Sequence, residues 1–306
     1  MAEEKTENYT EKFKDLMDED NVYEFFLKMQ NLMPKYSKKK KDQEFFSFVA
    51  FIIEHLNKYE EKESISTILD LSMKLYLKKY PDNKLEDPML FMHSYHKIFK
   101  ILPVKLDKSS FKYRYLEICA LNGISEDTIL KENIYYEFAI DSKENKFLIE
   151  AYRFAMKSMN LDAINSVVKE TLVNDVLNMK ENEKKVFISR VCLEILINKN
   201  IQMALDFIFP YINAKNDYES NDPILNMTYF ICLLLNDKNV TFDKFKEFVS
   251  LYMPIIEEKD AILKKYINKI SLDYFKQGVI NEVNNPFGGF NFLNMMRLMT
   301  SLAGGH

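Results

Sequence analysis

Histidine is the residue most often recruited for metal binding and proton transfer, and this chain has four. Two of them, His93 and His96, lie three residues apart, a spacing that puts two imidazoles on one face of a helix. A metal ion held there would need further ligands of the same orientation, and the pair lacks the flanking glutamate of a His-Glu-x-x-His arrangement. The expectation is therefore no metal site, with both rings on the surface or satisfied in the interior. A helical phosphohydrolase would carry a His-Asp dipeptide, a nucleotide enzyme a glycine-rich phosphate loop, and a serine hydrolase a Gly-x-Ser-x-Gly elbow. None occurs in the sequence. The acidic pairs Glu60-Glu61 and Glu257-Glu258 fall at expected helix junctions, where carboxylates complement the N-terminal dipole and need no catalytic role. Cys119, Cys192 and Cys232 are an odd number, each inside an apolar helical pattern, and read as reduced core residues of a cytosolic protein. No catalytic residue and no cofactor is expected: the chain reads as one that binds rather than transforms.

The elements that would carry such binding follow from composition. The chain has 306 residues, of which 47% are hydrophobic, ample for a sizeable core. Gly123 is the only glycine before Gly278. Sheets joined by tight turns need glycine for positive φ, so this scarcity argues against a β-rich or doubly wound fold and leaves an all-α one. A net charge of −4 and only four arginines leave no phosphate-gripping surface, which argues against nucleic acid as a partner. The longest apolar runs, Phe45 to Ile53 and Phe230 to Leu235, fall short of the roughly 20 residues that span a bilayer. With no signal-peptide pattern at the acidic start, the expected location is the cytosol, without stable membrane insertion.

Helical periodicity then divides the chain. Val186, Phe187, Val191, Ile195 and Leu196, widened by Ile188 and Cys192, describe a helix buried on more than half its girth, with Arg190, Glu194 and Asn198 as its polar line. Asp87-Pro88 and Asp222-Pro223 each read as an N-cap followed by a first-turn proline. Ser125 should cap a helix from Glu126 to Ala139, and Gly123 should close the one before it. Pro34 and Pro254 are expected to stop helices, and Pro210 to end or kink one near Phe209. Lys35 and Lys38 to Lys41, five lysines in seven residues, read as a solvated interhelical loop, a docking patch for an acidic partner or a nuclear signal. The expected total is some fourteen helices, joined by short connections into a right-handed α-solenoid of antiparallel pairs over residues 1–285. A glycine-hinged apolar tail helix over 286–306 follows, containing Phe292, Leu293, Met295, Met296, Leu298, Met299 and Leu302. It would fold back on the last pair, engage a partner or lie on a membrane surface.

Several stretches in order resemble one family. They are Val22-Tyr23-Glu24 and Tyr36; Asp70-Leu71-Ser72-Met73; Phe187, Ser189-Arg190, Leu196, Asn200-Ile201 and Ala204; Pro223 to Leu235; Tyr266, Ile270 and Phe275; and the tail Phe292 to Gly305. The resemblance is to Golgi-to-ER traffic protein 4, a cytosolic factor in the guided entry of tail-anchored proteins, and it covers most of the chain. It implies a non-enzymatic solenoid adaptor. The N-terminal part, about 11–180, would dock the targeting ATPase (Golgi-to-ER traffic protein 3) and favour its nucleotide-bound state. The C-terminal part, 181–285, would hold a ubiquitin-like adaptor (Golgi-to-ER traffic protein 5) that recruits a co-chaperone, with a larger ubiquitin-like scaffold as a further candidate partner.

Carried over by position, the ATPase-facing residues would be Tyr23, Glu24, Tyr36 and Asp70, joined by Lys38 and Lys39 from the basic patch. Asp70 matches a family acid thought to restrain ATP hydrolysis. The adaptor-facing residues would be Leu225, Asn226, Phe230, Tyr266 and Phe275. One departure is that Asn213 to Asp222 is short for the hairpin with which family members clasp the adaptor. The alternative is a generic helical-repeat scaffold subunit of another assembly, although such subunits usually end in a winged-helix module. An all-α isoprenoid-type synthase would need facing aspartate clusters, which the sequence lacks.

Overall fold

The structure is a computed structural model and describes residues 9–80, 82, 84–174, 177–212 and 222–279. The tail from 286 onward and the short stretch 213–221, both singled out above, lie outside the described residues. Among the described residues there are fifteen α-helices and no strand. They form two compact units, the first ending at Glu150 and the second beginning at Ala151.

The first unit runs through α1 (Tyr9–Lys12), two 3-10 turns, α2 (Val22–Lys39), α3 (Asp42–Lys58), α4 (Lys62–Lys78), α5 (Pro88–Ile101), α6 (Ser109–Leu121), α7 (Glu126–Lys131) and α8 (Ile134–Glu144). Helix α2 packs on α3, α3 on α4, α5 on α6 and α7 on α8, as short connections dictate, and α2 also reaches α4 while α3 reaches α5. Aromatic rings thread the core: Phe45 faces Tyr76 at 6.3 Å, Tyr76 faces Phe91 at 5.8 Å, Phe91 faces Tyr115 at 6.0 Å and Tyr115 faces Phe138 at 5.9 Å. The tyrosines keep a polar handle while buried: Tyr95 donates to Ser72 Oγ at 3.0 Å and Tyr115 to the Met92 carbonyl at 3.1 Å.

The unit boundary falls within α9 (Leu148–Ser158). The second unit continues with α10 (Leu161–Leu172), α11 (Glu181–Ile197), α12 (Ile201–Ile212), α13 (Pro223–Asn236), α14 (Phe242–Lys259) and α15 (Ile262–Phe275). Helix α11 is its centre, packing on α12, α13 and α15. Val191, Cys192, Leu193, Ile195 and Leu196 are fully buried, so the later turns of the helix are covered over most of their girth. Two of the three residues of its expected polar line are tied down, Arg190 meeting Asp260 at 2.5 Å and Glu194 accepting from the Tyr152 hydroxyl at 2.7 Å, while Asn198 at the helix end is exposed. The three cysteines are buried and free, with Cys192 Sγ 3.5 Å from Cys232 Sγ.

Asp87 and Asp222 cap α5 and α13 as expected, accepting from the amides of Leu90 and of Ile224 and Leu225, with proline at the first helical position. Gly123 takes φ +75° after α6. The internal prolines correct the sequence reading. Pro34, Pro210 and Pro254 all lie inside helices, α2, α12 and α14, which run on to Lys39, Ile212 and Lys259. A helix-interior proline costs about 3 kcal/mol. Beyond each one, however, the next turn presents buried groups, Tyr36 and Ser37, Ile212, and Ile256, whose packing offsets that cost. Two further corrections follow. Lys35, Lys38 and Lys39 belong to the last turns of α2 rather than to a loop, and Glu257 and Glu258 sit in the last turn of α14, the end where carboxylates oppose the dipole.

The expected single helix from Glu126 to Ala139 is two, broken at Asn133, which adopts φ 56°. Non-glycine residues take left-handed conformations elsewhere at helix ends, including Lys146, Lys199 and Lys276. A chain with so little glycine ends helices on lysine and asparagine, at a cost of about 1 kcal/mol or more at each such lysine.

Candidate partner-binding surfaces

On α2, Tyr23, Glu24, Leu27, Lys28, Asn31, Lys35, Lys38 and Lys39 are all exposed, recurring at three- and four-residue steps along the outer face. Tyr23 is 73% exposed, with its ring 6.5 Å from that of Phe26. Fifteen residues at 1.5 Å each separate Tyr23 from Lys38 by about 22 Å, so the apolar end and the basic end of this stripe are distinct patches. Ser37 Oγ donates to the Leu75 carbonyl at 3.2 Å and brings α4, which carries Asp70, against the basic end. Asp70 is half exposed, between Arg114 and Lys74.

Tyr36 lies elsewhere. It is buried, stacked on Phe48 with centroids 3.9 Å apart, and its hydroxyl accepts from Lys12 Nζ at 2.6 Å. Its place is in the packing of α1, α2 and α3, because Tyr36 and Ser37 lie on the inward side of the turn after Pro34. Nearby, Asp42 accepts from Lys79, Tyr80 and, at 2.9 Å, Tyr76. Burial opposes ionisation of Asp42, but these hydrogen bonds together outweigh it and hold the carboxyl below its usual range.

Of the residues proposed on the second unit, Leu225 and Tyr266 are buried and face the core. Phe275 is half-buried and closes α15 on the start of α14, with its ring 5.1 Å from Phe245 and 6.1 Å from Phe242. Asn226 and Phe230 are half-buried on α13. Phe230 meets Phe248 of α14 at 6.2 Å, and Phe248 meets Tyr252 at 5.1 Å. With Leu251 at 71% and Leu233 at 38% exposure, these rings form an open apolar row across α13 and α14. The sequence reading missed Phe248, Leu251 and Tyr252. The signal was present, since one stripe of α14, Phe245, Val249 and Ile256, already fills its buried face.

Several ionisable groups in the interior are matched to one another, whereas neither ring nitrogen of buried His55 has a hydrogen-bond partner among the described residues. Lys112, with no exposure, lies 2.9 Å from Glu150, 2.8 Å from Asp141 and 2.6 Å from Ser142 Oγ, while Lys108 also pairs with Asp141. Burial pushes the Glu194 carboxyl up, partly offset by the Tyr152 hydroxyl. His96 is buried 2.7 Å from Glu137, and His93 is 3.8 Å from Glu132. Both rings of the sequence pair therefore have carboxylate partners, and among the described residues no group of three or more His, Cys, Asp or Glu is placed to hold a metal ion. An open groove of about 610 Å³ on the first unit is lined by Glu54, Glu60, Lys62, Lys100, Lys105 and Val104. Its charges are of both signs and Lys100 is held by Glu137 at 3.0 Å, so no convergent polar set forms there. No described helix is long and apolar enough to cross a membrane.

Comparison with known proteins bears on these surfaces. No curated protein matches the chain by sequence. Among solved structures it is similar to the Get4 of C. therm., with a TM-score of 0.65 and 13% identity over 99% of this chain and 96% of that one, which shows a shared helical solenoid fold. A family model described as Golgi to ER traffic protein 4 matches residues 142–298, more than half of the chain and the part that includes the α13–α14 row. The chain belongs to the Golgi to ER traffic protein 4 family.

Proposed function

We propose that this protein is a non-enzymatic adaptor in the post-translational targeting of tail-anchored proteins to the endoplasmic reticulum, working in the cytosol. It bridges the targeting ATPase, Golgi-to-ER traffic protein 3, to the ubiquitin-like adaptor, Golgi-to-ER traffic protein 5. The ATPase docks on the N-terminal part, about 11–180, through the exposed stripe of α2 and the basic end beside α4: Tyr23, Glu24, Lys38, Lys39 and Asp70. There Asp70 restrains ATP hydrolysis. The adaptor is held by the C-terminal part, 181–285, through Asn226, Phe230 and the apolar row that Phe248, Leu251 and Tyr252 extend.

Family membership is the observation that carries this reading. The surfaces support it, since one unit offers an elongated charged stripe and the other an apolar row, the two kinds of patch that steer and anchor protein partners. The test is titration of the purified chain with each purified partner. Replacing Lys38 and Lys39 by glutamate should weaken ATPase binding, most at low salt, while adaptor binding and helical circular dichroism stay unchanged. ATPase affinity equal to that of the unaltered chain at every salt concentration would remove the docking assignment.

A further inference from the structure

Both carboxylate oxygens of Asp70 are occupied. Oδ1 accepts from Arg114 Nη1 at 2.8 Å, across from α4 to α6, and Oδ2 faces Lys74 Nζ at 2.5 Å one turn along α4. The two cations are not equivalent. The Lys74 side chain is 60% exposed and the Arg114 side chain 33%, so the arginine stem is packed while the lysine stem is largely free. A lysine ammonium is a rotating point charge, whereas the guanidinium plane fixes the direction of the carboxylate it holds.

Arginine is used sparingly: four of the 42 basic residues are arginine. Arg190 does the same job in the other unit, reaching from α11 to the carboxylate of Asp260, just before α15. In both places an arginine spans two segments to hold one aspartate. The difference is exposure, for the Arg190 pair is sealed while Asp70 is presented to solvent.

We infer that Arg114 is a positioning residue for Asp70: it holds the carboxylate at a set orientation on the docking surface, and with Lys74 it leaves the group a net charge of +1, suited to an acidic patch on the partner. This rests on the reading of that surface as the ATPase-docking one. An exposed ion pair of this kind contributes little to fold stability, so its removal leaves the unit folded.

The test measures ATP hydrolysis by the purified targeting ATPase at saturating amounts of the full chain, alongside binding affinity and melting temperature. The variants are Asp70→Asn, Arg114→Gln, Arg114→Lys and the double Asp70→Asn/Arg114→Gln. Asp70→Asn should raise the hydrolysis rate about threefold, Arg114→Gln should reproduce most of that rise, and the double variant should go no further than Asp70→Asn. Arg114→Lys should recover at least half of the restraint, with all melting temperatures close together. A rise with Asp70→Asn but none with Arg114→Gln overturns the positioning role and leaves the docking reading standing, as does a double variant whose effect is the product of the two singles. Hydrolysis and affinity unmoved by every variant would remove the docking reading itself, and the inference with it.

Discussion

Replacing Lys112 with methionine gives the sharpest test of what holds the first unit together. Lys112 is fully buried, and its ammonium is shared among Asp141, Glu150 and the Ser142 hydroxyl, with Lys108 supplying the second positive charge. The cluster is therefore two cations against two carboxylates. Methionine fills nearly the same volume but leaves one buried carboxylate without a counter-charge, and breaking such a pair costs about 3–5 kcal/mol. At roughly 2–4 °C per kcal/mol for a chain segment of this size, thermal melting followed by circular dichroism should fall by about 10–15 °C. Glu150→Gln alone should also destabilise, because it strands a positive charge. In the double variant the charges balance again, so its loss should be smaller than the sum of the two singles by about 1 kcal/mol or more. A Lys112→Met melting point within about 2 °C of the parent, or strictly additive losses, would refute the reasoning, since both require the cluster to be solvated.

Three further outcomes are expected. His55 is buried against Phe25, with ring centroids 4.1 Å apart, and burial, aided by Lys58, lowers its pKa below the ordinary 6.5. The neutral ring is the one that packs, so its contribution is complete above pH 6.5 and is lost as the pH falls from there through the lowered value; His55→Phe should flatten that part of the urea-midpoint profile. Pro34→Ala should stabilise by about 1–2 kcal/mol, restoring a hydrogen bond to the Gln30 carbonyl at a modest cost in unfolded-chain freedom, and a drop in melting temperature would show that the proline itself is needed. Leu251→Lys should leave stability within about 0.5 kcal/mol, because the side chain is 71% exposed, while weakening adaptor binding about tenfold by calorimetric titration; unchanged affinity would take the α13–α14 row out of the interface.

The all-α architecture was legible because its cause is compositional. One glycine before Gly278 cannot supply the turns of a sheet. The starts at Asp87-Pro88 and Asp222-Pro223 were legible because capping is local chemistry, settled within four residues. The prolines were misread for the opposite reason. Whether a helix survives Pro34 depends on what Tyr36 and Ser37 pack against, which is a tertiary fact. Lys112 is similarly opaque, since its partners Ser142 and Glu150 lie 30 and 38 residues away and hydropathy marks any lysine as solvated.

The candidate surfaces divide along the same line. Tyr23, Glu24, Lys38, Lys39 and Asp70 stand on open faces, as a charged or outward-spaced residue usually does. Tyr36, Leu225 and Tyr266 are interior, because carrying a position over from a resemblance transfers a place in the helix order and not a degree of burial. The Phe248 and Leu251 extension follows from counting apolar residues in α14 against the width of its buried stripe, a count that needs no coordinates.

The three cysteines give the protein an internal reporter. Burial raises the Cys119 thiol to about 12 and Cys192 well above its ordinary value, so neither forms the thiolate that alkylating reagents require while the helices stay closed. Cys119 belongs to the first unit, and Cys192 and Cys232 to the second. Maleimide uptake at each position therefore times the opening of each half separately, and shows which half a bound partner clamps shut.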